Sequence, residues 1–140
     1  MGRKQSNALI LIRGVPGSGK TTMAHAIRKC YPPGKAVVHE ADDFFLDENG
    51  IYRYDPKNIQ YAHELCRQNT LKDLQDGLTV IVSNTFTRWW EIQHYLTPLE
   101  DSWKIYPRYI YVAPFNHNPF PNAHGVPPEK VQEMIKRFED

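Results

Sequence analysis

Ala8-Leu9-Ile10-Leu11-Ile12-Arg13-Gly14-Val15-Pro16-Gly17-Ser18-Gly19-Lys20-Thr21 is the stretch on which the reading of this chain turns. Its first part is a continuous apolar run ending at a glycine, which fits a strand buried on both faces, the habit of parallel sheets. Its second part, Gly14 to Thr21, matches G-x-x-x-x-G-K-S/T at every fixed position. Between a strand and a helix, that pattern is a phosphate loop. A triphosphate needs several N–H donors converging on it, and glycines let the backbone come that close. The helix start adds unpaired N–H groups and the positive end of a dipole. Lys20 sets a mobile cation against the β- and γ-phosphates, and Thr21 offers a hydroxyl to Mg²⁺. The candidate nucleotide-binding residues are therefore Gly14, Val15, Pro16, Gly17, Ser18, Gly19, Lys20, Thr21 and Thr22, with ATP and Mg²⁺ as the implied cofactors. The bland alternative is a glycine-rich turn that binds nothing.

Outward from the loop, residues 20–30 read as a helix with Met23, Ala24, Ile27 and Cys30 on one side, closed by Tyr31-Pro32-Pro33-Gly34. Residues 36–39 form a short strand. Residues 40–47 leave it and enter a loop near the turn signal Asn49-Gly50. Asp55-Pro56 opens a long helix, since Asp caps and Pro suits the first turn. Its stripe is Ile59, Ala62, Cys66 and Leu74, and Asp76-Gly77 ends it. Residues 78–83 make a third strand, 84–87 a loop, and a helix follows through Trp89, Ile92, Gln93 and Leu96. Residues 104–112 are a fourth strand, which Pro107 makes late to start or an edge. Residues 113–127 are a loop crowded with Pro, Asn and His. Residues 128–139 close the chain as a helix with Val131, Met134, Ile135 and Phe138 on one face. Strict alternation of strand and helix predicts an α/β fold: three layers, α/β/α, around a short, mostly parallel four-stranded sheet.

The chain has 140 residues, 41% apolar and 24% charged, enough for one globular domain over residues 8–140 behind a frayed polar tail at 1–7. No apolar run approaches a membrane span, and the basic N-terminus lacks a signal-peptide core, so the expected location is cytoplasmic. Cys30 and Cys66 give neither a disulfide framework nor zinc spacing, and the six histidines show no convincing metal set. Seventeen basic residues against sixteen acidic ones leave a net charge of +1. That excludes coating of nucleic acid by charge; any polynucleotide contact is local, such as one end.

In parallel sheets, functional residues collect beyond the carboxyl ends of the strands. Asp42 and Asp43 follow the second strand. A carboxylate there can accept the proton of an attacking hydroxyl or orient a metal-bound water; equally, it can cap a helix or sit in a solvated turn. Ser83-Asn84-Thr85 follows the third strand, and Asn84 can bind a water or substrate hydroxyl, or simply cap the next helix. Phe44, Phe45, Tyr52, Arg53 and Tyr54 surround one loop, and Phe86, Arg88, Trp89 and Trp90 the other. Exposed aromatics beside arginines can stack bases and hold phosphates, or pack the loops onto the sheet.

Taken together, the phosphate loop, Asp42-Asp43-Phe44-Phe45, Tyr54-Asp55-Pro56, Asn84-Thr85 and His124-Gly125-Val126-Pro127 make the chain resemble the polynucleotide-kinase-like branch of P-loop ATPases over residues 8 to 138. The resemblance implies a P-loop NTPase fold and an ATP-dependent kinase acting on a 5′-hydroxyl. Lys20 and Asp42 would be catalytic, with Asp42 the general base. Thr21 and Asp42 would attend the magnesium, and Asp43, Asn84, Arg88 and His124 the acceptor. Residues 113–127 would form a lid. Two departures stand out. Ser83 replaces an aspartate that family members often carry, and Pro121 stands where the lid usually has an arginine. Arg53, Arg88 and Lys130 are the candidate substitute cations.

Three functions follow: a kinase for the 5′ end of a polynucleotide, a kinase for a nucleoside, nucleotide or other small hydroxyl compound, and an ATP-binding interaction module with little catalysis. In each case the partner is a small molecule or a nucleic-acid end, and no membrane is involved.

Overall fold

The computed structural model describes residues 7–100, 109–114 and 128–139. The element order is β1 (Ala8–Arg13), α1 (Lys20–Lys29), β2 (Ala36–His39), a 3₁₀ turn (Ala41–Phe45), α2 (Ile59–Gln75), β3 (Thr79–Asn84), α3 (Trp89–Glu100), β4 (Tyr109–Pro114) and α4 (Pro128–Arg137). The strands lie in the order β2-β3-β1-β4, and every pairing is parallel.

The side-chain period of two divides the core between the faces of this sheet. Leu9, Leu11, Val80 and Val82 pack with Ala62, Cys66 and Leu74 of α2 and with Ile92, Tyr95 and Leu99 of α3. Ala8, Ile10, Ile12 and Ile81 face the other way, onto Ala24 and Ile27 of α1. That is the three-layer α/β/α architecture. Each fully buried Leu, Ile or Val contributes about 1.5–3 kcal/mol, so the two central strands, buried along their whole length, anchor the domain. Among the described residues β4 lies at the sheet edge, as expected of a strand near Pro107; Pro107 itself lies outside the described residues.

Several boundaries differ from the sequence reading, each for a local reason. Asn7 is not a frayed residue: it is buried, and its side-chain amide donates to the Leu78 carbonyl at 3.2 Å. β3 starts and ends one residue later than expected. Leu78 closes α2 instead, because its N–H reaches the Asp73 carbonyl and that of Gly77 the Leu74 carbonyl. Gly77 takes the left-handed conformation this cap needs. Asn84 thereby becomes the last residue of β3 and is buried. Asp55 caps a short 3₁₀ turn (Pro56–Asn58) ahead of α2, accepting from the Lys57 N–H at 3.0 Å. The α1 stripe is narrower than expected: Ala24 is buried and Ile27 partly so, but Met23 and Cys30 are exposed. In α3, Trp89 and Gln93 are exposed while Tyr95 and Leu99 are buried. Ala113 and Pro114 belong to β4; the remainder of the expected lid, with Pro121 and His124, lies outside the described residues.

Arg13, read as the end of an apolar run, is a buried charge at the C-terminal end of β1. Its Nε and Nη2 donate to the Phe86 and Thr87 carbonyls at 3.0 and 3.3 Å. Its guanidinium lies over the Phe138 and Trp89 rings, at 4.0 and 4.7 Å from their centroids. A buried cation needs such partners. The loop it grips contains Phe86, a non-glycine residue at φ 46°, whose ring is fixed edge-on against Tyr95. Backbone of this kind persists only where the surroundings over-determine it.

Candidate functional site

The register of the sheet places the ends of β1 and β3 side by side, Arg13 opposite Asn84. The Gly14 N–H donates to the Thr85 carbonyl at 3.1 Å, so the loop after β1 is tied to the loop after β3. Gly17 and Gly19 have φ of 85° and 94°, left-handed values that a Cβ would strain. Val15 and Ser18 are buried, and the Ser18 N–H returns to the Val15 carbonyl at 3.1 Å, completing a tight turn. Pro16, Gly17, Gly19, Lys20, Thr21 and Thr22 line a cavity of about 1430 Å³. Gly14, Val15 and Ser18 shape the loop without lining it.

The helix behind the loop is prepared for an anion. Gly19, at the N-cap of α1, makes no side-chain capping bond, no side chain among the described residues supplies one, and the first turn carries no acidic residue. First-turn N–H groups left without a side-chain acceptor, at the positive end of the helix, form an anion nest. Burial lowers the pKa of Lys20, against the opposing pull of the Glu40 and Asp42 carboxylates. Its ammonium is thus poorly hydrated and within electrostatic reach of two acids.

The acids come from the turn after β2. The Thr21 hydroxyl donates to Glu40 Oε1 at 2.6 Å, joining the phosphate-loop threonine to that turn. Asp42 lines the same cavity and accepts from the Tyr52 hydroxyl at 3.1 Å. Burial and the neighbouring Asp42 charge push the Tyr52 phenol well above its usual range, so it stays a donor. A turn at residues 47–50 brings Tyr52 there: Asp47 Oδ1 accepts from the N–H groups of Asn49 and Ile51, and Leu46 bridges to Tyr52. Asp43 also lines the cavity, and burial followed by the Glu40 charge raises its pKa.

Asn84 holds this turn in place. Its Oδ1 accepts from the buried Ala41 N–H at 2.9 Å, while Nδ2 faces the Tyr95 hydroxyl at 3.5 Å and the Cys66 sulfur at 3.8 Å. It also lines the cavity. Asn84→Ala strands the Ala41 N–H, which costs about 1–3 kcal/mol. The expected result is an earlier urea-unfolding midpoint with an unchanged slope.

Donor chemistry near Thr21 suits a hard divalent ion. The Thr21 hydroxyl and the Glu40 carboxylate already converge, and the buried Ser83 hydroxyl, lining the same cavity, has no hydrogen-bond partner among the described residues. All are oxygen donors, as Mg²⁺ prefers. Among the described residues no group of three His, Cys, Asp or Glu side chains is placed to hold a metal.

The three candidate cations separate clearly. Arg88 does not line the cavity, and its Nη1 pairs with Glu139 at 3.3 Å. Arg53 does not line it either and binds Asp47 at 2.9 Å. Lys130 does line it, from α4, with Glu133 at 3.7 Å. His124 lies outside the described residues. Sequence reasoning overlooked Glu40, whose signal was its place directly after β2, and Arg137, which lines the cavity and donates to the Thr87 hydroxyl at 3.1 Å.

The chain is 28% identical over 144 residues to human NEDD4-binding protein 2, covering 94% of this chain but only 8% of that protein. Among solved structures it superposes on a chain of the Pnkp1/Rnl/Hen1 complex with a TM-score of 0.61 at 20% identity, covering 99% of this chain and 41% of that one. It superposes on the APS kinase of Mycobacterium tuberculosis with the same TM-score at 15% identity, covering 96% and 98%. The fold is therefore that of the P-loop kinases. No helix among the described residues is long and apolar enough to cross a membrane. The model of the AAA_33 family, an AAA domain, matches residues 9–112, and the chain belongs to that family.

Proposed function

We propose that the chain is an ATP-dependent phosphotransferase that moves the γ-phosphate of ATP to a hydroxyl, with the 5′-hydroxyl of a polynucleotide as the acceptor. The observation that carries this reading is the uncapped start of α1 behind the glycine loop, facing two carboxylates across one cavity. Ligand pockets usually run to about 300–1,000 Å³, so a cavity of about 1430 Å³ has room for both donor and acceptor.

In this reading the loop amides and Lys20 hold the β- and γ-phosphates. Thr21 and Glu40 would hold Mg²⁺, with Asp42 reaching it through water, and the ion would neutralise charge on the phosphates. Asp42 takes the proton of the acceptor hydroxyl as its oxygen forms the new bond to the γ-phosphorus. The bond from that phosphorus to the β,γ-bridging oxygen breaks, and ADP leaves. Tyr52 orients the Asp42 carboxylate. Lys130 supplies positive charge from the α4 side, where Arg88 and Arg53 are otherwise engaged.

Lys130→Ala is expected to lower kcat by up to about 10²–10³-fold, the scale seen when one charge-stabilising donor is removed. Arg53→Ala should change it less than twofold. The function itself is tested by transfer of labelled γ-phosphate to a panel of a 5′-hydroxyl oligonucleotide, a nucleoside and small hydroxyl compounds. Transfer to the oligonucleotide supports the reading. Transfer to a small compound alone would move the acceptor to that class, and no transfer to any acceptor overturns it.

A further inference from the structure

Resting on the phosphotransferase reading, we infer that the acceptor is recognised by stacking its terminal nucleobase on Trp90, which makes it a base-bearing hydroxyl and not a sulfate, phosphate or sugar-acid compound.

In-line displacement puts the acceptor on the far side of the γ-phosphate from ADP. With the donor phosphates on the α1 loop, the acceptor faces the cavity wall made by α2 and α3, where Gln60, His63, Glu64, Arg67, Trp90 and His94 lie.

Charge on that wall does not favour an anionic group on the terminal unit of the acceptor that it would hold. Arg67, its one arginine, is engaged by Glu64: Nη2 donates to Oε1 at 2.5 Å and Nε to Oε2 at 3.1 Å. Glu91 on α3 and Asp42 and Asp43 beside the wall add negative charge. Burial lowers the pKa of His63, and the Glu91 and Asp42 charges only partly oppose this, so His63 brings little positive charge at neutral pH.

An aromatic face is what the wall does offer. Trp89 and Trp90 are neighbours with different fates. Trp89 packs over the Arg13 guanidinium and does not line the cavity. Trp90 lines it with 60% of its surface exposed. One helical turn later, on the same face of α3, His94 contacts it at 5.2 Å between ring centroids and 66° between planes. That contact orients the indole without covering it. A large aromatic held in place and left open inside a cavity is suited to stack a base, and every base has a π-face to offer. The reading also fits a net charge of +1: affinity for the end of a strand comes from one stacked base, with little from a basic surface.

The test compares two short 5′-hydroxyl DNA oligonucleotides, one ending in thymidine and one in an abasic residue. Binding is measured in the presence of a non-hydrolysable ATP analogue and Mg²⁺, so the readout does not depend on transfer. Wild-type protein is expected to prefer the base-bearing end by about tenfold, the scale of one aromatic–base stack. Trp90→Ala should bring that ratio close to one, and Trp90→Phe should retain most of it, with affinity for the ATP analogue intact in both. A wild-type ratio near one, or a ratio that survives in Trp90→Ala, overturns the inference. Failure of the wild-type protein to bind either oligonucleotide overturns it as well. If phosphate is nevertheless transferred to a small hydroxyl compound, the phosphotransferase reading stands without it.

Discussion

Lys20→Ala is expected to reduce phosphate transfer by about a thousandfold or more, and to weaken ATP binding, while leaving the fold intact. Lys20 contributes the one ammonium of the phosphate loop, in a place where burial has stripped much of its water. A charge so placed is worth far more than one in solvent. It packs in neither face of the hydrophobic core. Circular dichroism and thermal melting should therefore match the wild type. Lys20→Arg should recover little, because a planar guanidinium does not reproduce a compact point charge in a closed loop. Near-normal transfer by Lys20→Ala would remove the lysine from the mechanism.

Asp42→Asn should behave differently. The amide keeps the size of the side chain and can still bond to Tyr52, but it cannot take a proton. The expected result is a fall in kcat of about 10²–10⁴-fold, the range for general-base catalysis, with ATP affinity preserved or slightly raised. Affinity can rise because Asp42 is one of two acids opposing the triphosphate charge near Lys20. Loss confined to kcat marks an interaction made in the transition state. A variant that raised KM for ATP and spared kcat would instead make Asp42 a binding residue.

The central strand, the loop and the first helix were legible because each rests on local rules: a run of buried aliphatics, glycines where φ must be positive, and a lysine-threonine pair at a helix start. Legibility faded where one element decides the use of a residue in another. Leu78 looks like strand, yet the C-terminal cap of α2 uses it. Asn84 looks like a polar loop residue, yet it ends β3 and satisfies the Ala41 N–H 43 positions away. Arg13 sits in an aliphatic run and gave no sign of the two carbonyls that hold it, because they depend on the unusual backbone of Phe86. Glu40 became a site residue only through Thr21, a contact between the start of α1 and the end of β2. Arg88 looks like a cation able to meet phosphate, yet the chain just beyond α4 returns Glu139 to it, a pairing that local sequence does not reveal. Trp89 and Trp90 share a dipeptide, and only the turn of α3 separates a ring set against Arg13 from one that lines the cavity.

Titration calorimetry with ATP and with AMP, each at saturating Mg²⁺, tests the phosphate loop most directly. If the loop amides, Lys20 and Thr21 read the β- and γ-phosphates, ATP binds saturably at one site, AMP binds at least a hundredfold more weakly, and chelating the magnesium weakens ATP alone. Equal affinity for the two nucleotides, or no heat from ATP, would contradict the account.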